Sequence, residues 1–209
     1  MPINDTYKSP FVEASCYHVY NRCVKKQSLF YTIENYKYFL KLFDRHLSGV
    51  LKVYSWCLIP NHFHFLVSTK RISECGFLDR ELQLLNCKPN SYSLILSNRW
   101  KNFFIAYSLA LKRQENINTN IFAQKFKHIE VTTDAQFKNT IQYIHHNPAH
   151  HHIMNDFQNY RWSSYSRILN DHQSKLEKKY VLDLFGGKEQ YVQSHLGYDS
   201  NFKCGFEDL

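Results

Sequence analysis

The chain has 209 residues, 44% of them hydrophobic and 16% aromatic, which suits one domain with a packed core and excludes a disordered chain. Six glycines and five prolines exclude collagen-like and linker-dominated architectures. No run approaches the roughly 18–20 apolar residues that cross a bilayer, so the formal net charge of +8 points to a polyanionic partner, nucleic acid foremost.

Residues 11–22 alternate apolar and polar side chains with β-branched and aromatic content, which predicts a strand. Thr32 caps a predicted helix with Tyr36, Phe39, Leu40 and Phe43 at helical spacing, and Gly49 ends it. Residues 51–59 and 62–68 read as two strands joined at Pro60-Asn61, an antiparallel hairpin. Residues 71–90 are irregular and read as a loop or insertion.

A long amphipathic helix is predicted over 91–113, where Trp100, Phe103, Phe104, Tyr107 and Leu111 recur at three- and four-residue steps. An Asn-rich turn at 116–120 and a strand over 126–132 follow. Thr133-Asp134 then cap a helix with Phe137, Ile141 and Ile144 on one face, expected to stop at Pro148. The order β-α-β-β-α-β-α predicts an α+β, ferredoxin-like fold: a central antiparallel sheet with helices mainly on one face. The more polar residues 155–209 are expected to form a C-terminal extension of short helices packed on the 1–154 domain.

The N-terminal residues lack a signal peptide's apolar core, and the six cysteines show no CxxC pair. A cytoplasmic protein with reduced thiols is expected, neither a zinc framework nor a disulfide scaffold.

Three patterns bear on chemistry. His62 and His64, two apart on a strand, face the same side, and paired imidazoles are a common start to a divalent-metal site. Two ordinary histidines on a half-exposed strand would look the same. Tyr143 and Asn147, four apart on a helix, share a face. The phenol needs an activated phosphate to act as a nucleophile, and the amide oxygen could complete a ligand set with the two imidazoles. A core tyrosine and a capping asparagine would also explain that pair. Third, His145, His146, His150, His151 and His152 read as cationic surface at a helix C-terminus.

Basic residues interleave with aromatics at Arg22, Lys25 and Lys26, at Arg99 and Lys101 around Trp100, at Lys125 and Lys127 around Phe126, and at Arg161-Trp162. Phosphate attraction with ring stacking is how proteins hold single-stranded DNA.

Five blocks in order, YHVYNRCVKKQSLFY (17–31), CLIPNHFHFLV (57–67), IFAQKFKHIEV (121–131), YIHHNP (143–148) and WSSY (162–165), resemble the REP-associated tyrosine transposases. These are relatives of single-tyrosine insertion-sequence transposases in the HUH endonuclease superfamily. The resemblance spans residues 17–165. It implies a ferredoxin-like HUH domain with His62, His64 and Asn147 as ligands of Mg2+ or Mn2+ and Tyr143 as nucleophile. The implied reaction is cleavage and rejoining of single-stranded DNA at or near palindromic hairpins, through a 5′-phosphotyrosine and a free 3′ hydroxyl.

Such proteins act as monomers or homodimers, and no membrane partner is implied. Where the family usually continues Val-Arg-Ala-Gly after YIHHNP, this chain has Ala149-His150-His151-His152, and Cys23 replaces a usual glycine. Two other readings stay open: a non-catalytic DNA-hairpin binder or regulator that keeps the fold, and a metal-dependent phosphoesterase that uses water.

Overall fold

The computed structural model describes residues 9–24, 27–87, 90–123 and 125–198. Four strands, β1 (Cys16–Arg22), β2 (Leu51–Ile59), β3 (His62–Thr69) and β4 (Lys127–Val131), form one sheet in the order β2-β3-β1-β4, every neighbouring pair antiparallel. The helices are α1 (Ile33–Leu47), α2 (Asp79–Cys87), α3 (Ser91–Glu115), α4 (Asp134–His150), α5 (Tyr165–Leu169), α6 (Lys178–Phe185) and α7 (Lys188–Leu196). This is the expected α+β arrangement about a central antiparallel sheet, but the helices, expected mainly on one face, divide between both. Among the described residues no helix is long and apolar enough to cross a membrane.

Strand alternation divides the interior. On one face Tyr17, Val19, Phe63, Phe65 and Val67 pack against Phe39 and Phe43 of α1 and Trp100 and Phe103 of α3. On the other, Tyr54, Cys57, Ile59 and Leu66 pack against Phe137, Ile141 and Ile144 of α4. α1 and α3 thus share a layer, while α4 crosses the opposite face, the one on which β1 and β3 carry their histidines.

Local chemistry explains the element ends. Thr32 opens α1 with a reciprocal capping box involving Asn35, and the helix ends at Ser48, one residue before Gly49. The Pro60-Asn61 turn is pinned by neighbouring backbone: the amides of Leu29 and Phe30 donate to the Pro60 carbonyl, at 2.7 and 3.1 Å, and Cys23 N–H to that of Asn61 at 2.9 Å. That clamp makes His62 the first residue of β3. Strand β1 is shorter than the alternation suggested, because Ala14 takes a left-handed φ of 52° and turns the chain before Cys16.

Two expectations need correction. Residues 71–90 are not a plain loop: a 3-10 turn at Ile72–Glu74 precedes α2, none of whose residues is fully buried. Nor does α4 stop at Pro148, which lies inside it. The Pro148 ring is buried, and its carbonyl accepts from Ile153 N–H at 2.8 Å. The helix then closes at His151, whose N–H reaches the Asn147 carbonyl at 3.0 Å, and at His152, in the left-handed region with φ 54°.

Beyond α4, residues 162–164 run along the free side of β2. Leu58 N–H donates to the Trp162 carbonyl at 2.8 Å, and Ser164 N–H to that of Trp56 at 2.9 Å. Phe157, Tyr165, Ile168, Val181, Phe185 and Tyr191 join the core beneath α4.

Candidate functional site

The site lies where α4 crosses β1 and β3. Strand period two puts His62 and His64 on one face of β3, and register puts Tyr20 of β1 opposite His64 and Arg22 opposite His62. From α4, Tyr143 and Asn147 descend one turn apart onto those imidazoles. The Tyr143 ring stands edge-on to His64, with centroids 5.4 Å apart and planes at 88°. Asn147 Oδ1 lies 3.1 Å from His62 Nε2. The four side chains from two separate stretches of sequence therefore meet, with His62, His64 and Asn147 buried and Tyr143 half-buried. Tyr143 covers the middle of the sheet, over β1 and β3.

The hydrogen bonds leave a specific deficit. Asn147 Nδ2 donates to the Tyr143 carbonyl at 3.0 Å, which turns Oδ1 toward His62. His62 Nδ1 faces Asn61 Oδ1 at 2.8 Å while its Nε2 faces Asn147 Oδ1. Both ring nitrogens meet an acceptor, yet a neutral imidazole has one N–H to give. Burial, with His151 and Arg22 nearby, pushes the His62 pKa down to about 3, so a second proton is not available near neutrality. His64 is held neutral chiefly by burial, which outweighs the Asn147 amide beside it, and among the described residues no partner meets its buried Nε2 at hydrogen-bond geometry.

One cation facing His62 Nε2, His64 Nε2 and Asn147 Oδ1 would use all of these lone pairs. Neutral imidazole is the form that ligates metals. The donors thus fit a divalent ion. They are two imidazoles and an amide; among the described residues no group of three or more His, Cys, Asp or Glu side chains is placed to hold one.

The basic residues divide. Arg22 sits beside His62 by register, and Lys127 reaches over the Tyr20 ring, 5.9 Å from its centroid, next to His64. Arg99, expected to meet phosphate, is instead spent inside the protein, with Nε and Nη2 on the Glu81 carboxylate at 2.9 and 2.6 Å and Nη2 on the Gly76 carbonyl. Trp162, expected as a stacking platform, is buried, with one face on Tyr36 at 4.4 Å and Arg161 over its ring. Lys101, Lys125 and Arg161 are exposed, Lys101 on the helix layer away from the imidazoles. Lys25 and Lys26 lie outside the described residues.

The expected cationic surface of the histidine run is corrected at its start. His145 is fully buried: its Nδ1 meets His195 Nε2 at 2.9 Å and its Nε2 meets Ser164 Oγ at 2.7 Å. His195 Nδ1 donates to the Tyr191 carbonyl at 2.7 Å. That one acceptor orders the chain: His195 Nε2 must accept from His145 Nδ1–H, and His145 Nε2 from the Ser164 hydroxyl. His146 is buried on Phe157. His151 stays at the site, its ring 4.3 Å from that of His62.

Sequence reasoning missed His18. It is fully buried on β1, 2.9 Å from His64 Nδ1 through its Nε2, and edge-on to Tyr143 with centroids 6.0 Å apart. Its signal was the alternation in YHVYNR, which places His18 and Tyr20 on one face. Which face that would be is decided by pairing with β3.

No protein-family model matches the chain, and no curated protein does. Among solved structures it is similar to one described as the REP-associated tyrosine transposase bound to a REP hairpin, with TM-score 0.55, 14% identity, and coverage of 78% of this chain and 84% of that one. At that identity the similarity establishes the fold: an α+β domain with a four-stranded antiparallel sheet, like that of the transposase.

Proposed function

We propose that this protein is a metal-dependent single-tyrosine enzyme that cleaves and rejoins single-stranded DNA at or near hairpins, a transposase in reaction type. The observation that carries the reading is the meeting of Tyr143 with a donor set short of one cation: His62, His64 and Asn147. A hairpin-binding protein without catalysis has no use for that deficit. The fold shared with a transposase bound to a DNA hairpin supports the choice of substrate.

Each side chain then has a task. His62, His64 and Asn147 hold Mg2+ or Mn2+, which supplies Lewis-acid polarisation of the scissile phosphate. Tyr143 Oη attacks phosphorus, forming a Tyr–O–P bond to the 5′ side. The P–O3′ bond breaks, and the 3′ oxygen leaves as a hydroxyl carrying the proton the phenol gives up. Bond energy is kept in the phosphotyrosine, so the reverse attack by a 3′ hydroxyl rejoins strands without ATP. Arg22 and Lys127 flank the imidazoles and suit backbone phosphates of the incoming strand. All four central side chains come from one chain, so a monomer carries a complete set.

The test is incubation of the protein with labelled single-stranded hairpins and Mn2+, followed by denaturing electrophoresis. A covalent protein–DNA band that requires the ion is expected. Salt-sensitive hairpin binding with no such band under Mg2+ or Mn2+ would leave the non-catalytic binder as the better reading.

A further inference from the structure

We propose that His18 is the positioning residue of this centre: by accepting a hydrogen bond from His64 Nδ1–H, it holds the tautomer that presents the His64 Nε2 lone pair to the cation. The role presupposes the metal centre proposed above and assigns it a fourth, non-ligating imidazole.

His18 and His64 lie on neighbouring antiparallel strands, offset diagonally on one face, because His18 pairs with Leu66 and Tyr20 with His64. Diagonal neighbours are within reach of ring side chains. The two imidazoles are nearly parallel, 18° between planes, and joined by the 2.9 Å contact between His18 Nε2 and His64 Nδ1. Both are fully buried, so water does not compete for that bond.

Two neutral imidazoles sharing one hydrogen bond have two arrangements. If His18 Nε2–H donates, His64 Nδ1 is the acceptor and the His64 proton sits on Nε2, pointing into the site and blocking a ligand bond. If His64 Nδ1–H donates, His64 Nε2 carries a lone pair instead. The hydrogen bond alone permits either arrangement; among the described residues no hydrogen-bond partner meets His64 Nε2, which leaves that nitrogen open to a cation, and the cation selects the second. The second is the one a cation requires, and His18 is its acceptor.

An outer partner of this kind fixes ring orientation and raises the ligand's basicity. Tyr143 stands edge-on to both rings, so His18 also forms part of the surface on which the phenol rests.

The experiment measures Mn2+ binding to the full-length protein without DNA, by loss of the free-ion electron paramagnetic resonance signal. Wild type, His64→Ala, His18→Leu and His18→Gln are compared. Wild type is expected to bind in a His64-dependent way. His18→Leu should bind roughly 10–100-fold more weakly, whereas His18→Gln, whose side-chain oxygen can still accept, should recover most of the affinity.

In the wild type with Mg2+, a nitrogen-15 coupling across the hydrogen bond should join His64 Nδ1–H to His18 Nε2. This readout needs no variant to fold, and a purely structural His18 would not give it. Wild-type affinity in His18→Leu, no recovery in His18→Gln, or no coupling between His64 Nδ1 and His18 Nε2 with Mg2+ bound would each overturn the positioning role while leaving the metal centre intact. Failure of the wild type itself to bind Mn2+ through His64 would remove the centre and the role together.

Discussion

Asn147 is held at both ends of its amide: Nδ2 donates to the carbonyl of Tyr143 one turn earlier, at 3.0 Å, and Oδ1 faces His62 Nε2 at 3.1 Å. The helix backbone thereby aims the amide oxygen, so the proposed nucleophile and a proposed ligand move together. Replacing Asn147 with Leu should keep α4 and its packing while removing the oxygen. Mn2+ affinity, read by calorimetry, should fall about 10-fold or more; unchanged affinity would take Asn147 out of the ligand set.

Tyr143→Phe keeps the ring against His64 and removes only the hydroxyl. The covalent adduct should disappear, and hairpin binding by gel shift should change by no more than about twofold, since a half-buried phenol adds little to a charge-dominated affinity. Cleavage that persists without an adduct in Tyr143→Phe, yet vanishes in His64→Ala, would mean that water is the nucleophile.

Buried histidines predict acid sensitivity well away from the proposed centre. Burial holds the His195 pKa down at about 3, and burial with His195 beside it keeps His145 well below the ordinary 6.5. Below 6.5 the unfolded chain takes up protons that these folded imidazoles refuse, so stability is full above 6.5 and is lost as pH falls toward 3. Between pH 7 and pH 5 each such imidazole should cost about 2 kcal/mol. Urea midpoints should drop steeply over that range; a flat profile would show that the His145–His195 chain does not stay neutral.

His152 closes α4 with φ 54°, a conformation that favours glycine. It occupies the position where the resembled family usually has one. His152→Gly should raise stability by about 0.5–1 kcal/mol by relieving the left-handed strain, although glycine gives up some of that to unfolded-state entropy. The gain would appear as a higher thermal midpoint; a lower one would mean that the His152 side chain makes a contact worth more than the strain.

Arg99 ties α3 to Glu81 of α2 and to the Gly76 carbonyl, and both side chains of the ion pair are only 12% exposed. Burial alone would raise the Glu81 carboxyl, but the Arg99 hydrogen bonds and the Leu78 amide outweigh it and hold the pKa below the ordinary carboxylate range. Arg99→Met should therefore destabilise the fold by about 2–4 kcal/mol, mostly through the stranded carboxylate. The salt dependence of DNA binding should stay as in wild type, whereas a slope reduced by about one unit would return Arg99 to the phosphate contacts.

Much of the fold was legible because its signals are local. The period of two in β3 and the period of 3.6 in α1, α3 and α4 report one buried face each, and Thr32, Thr133 and Pro60-Asn61 mark ends through side-chain caps and turn chemistry within a few residues. Helix α2 left no such trace, since none of its residues is fully buried and what it partly covers includes the charged Glu81. Pro148 misled for a related reason: proline disfavours a helical predecessor by a modest local energy, and burial of the ring with a closing turn at His151 and His152 outweighs it.

By itself the sequence determined that His62 and His64 share a face, that Tyr143 and Asn147 share another, and that the chain is basic, for these follow from backbone geometry and composition alone. Only the tertiary structure decided that the two faces meet. It also decided that Arg99 and Trp162 are consumed within the protein, and that His18 lies against His64 while His145 lies against His195. Those outcomes depend on strand register and on which layer each helix joins. Register and layering are settled by hydrogen bonds and packing between residues tens of positions apart, which no local pattern encodes.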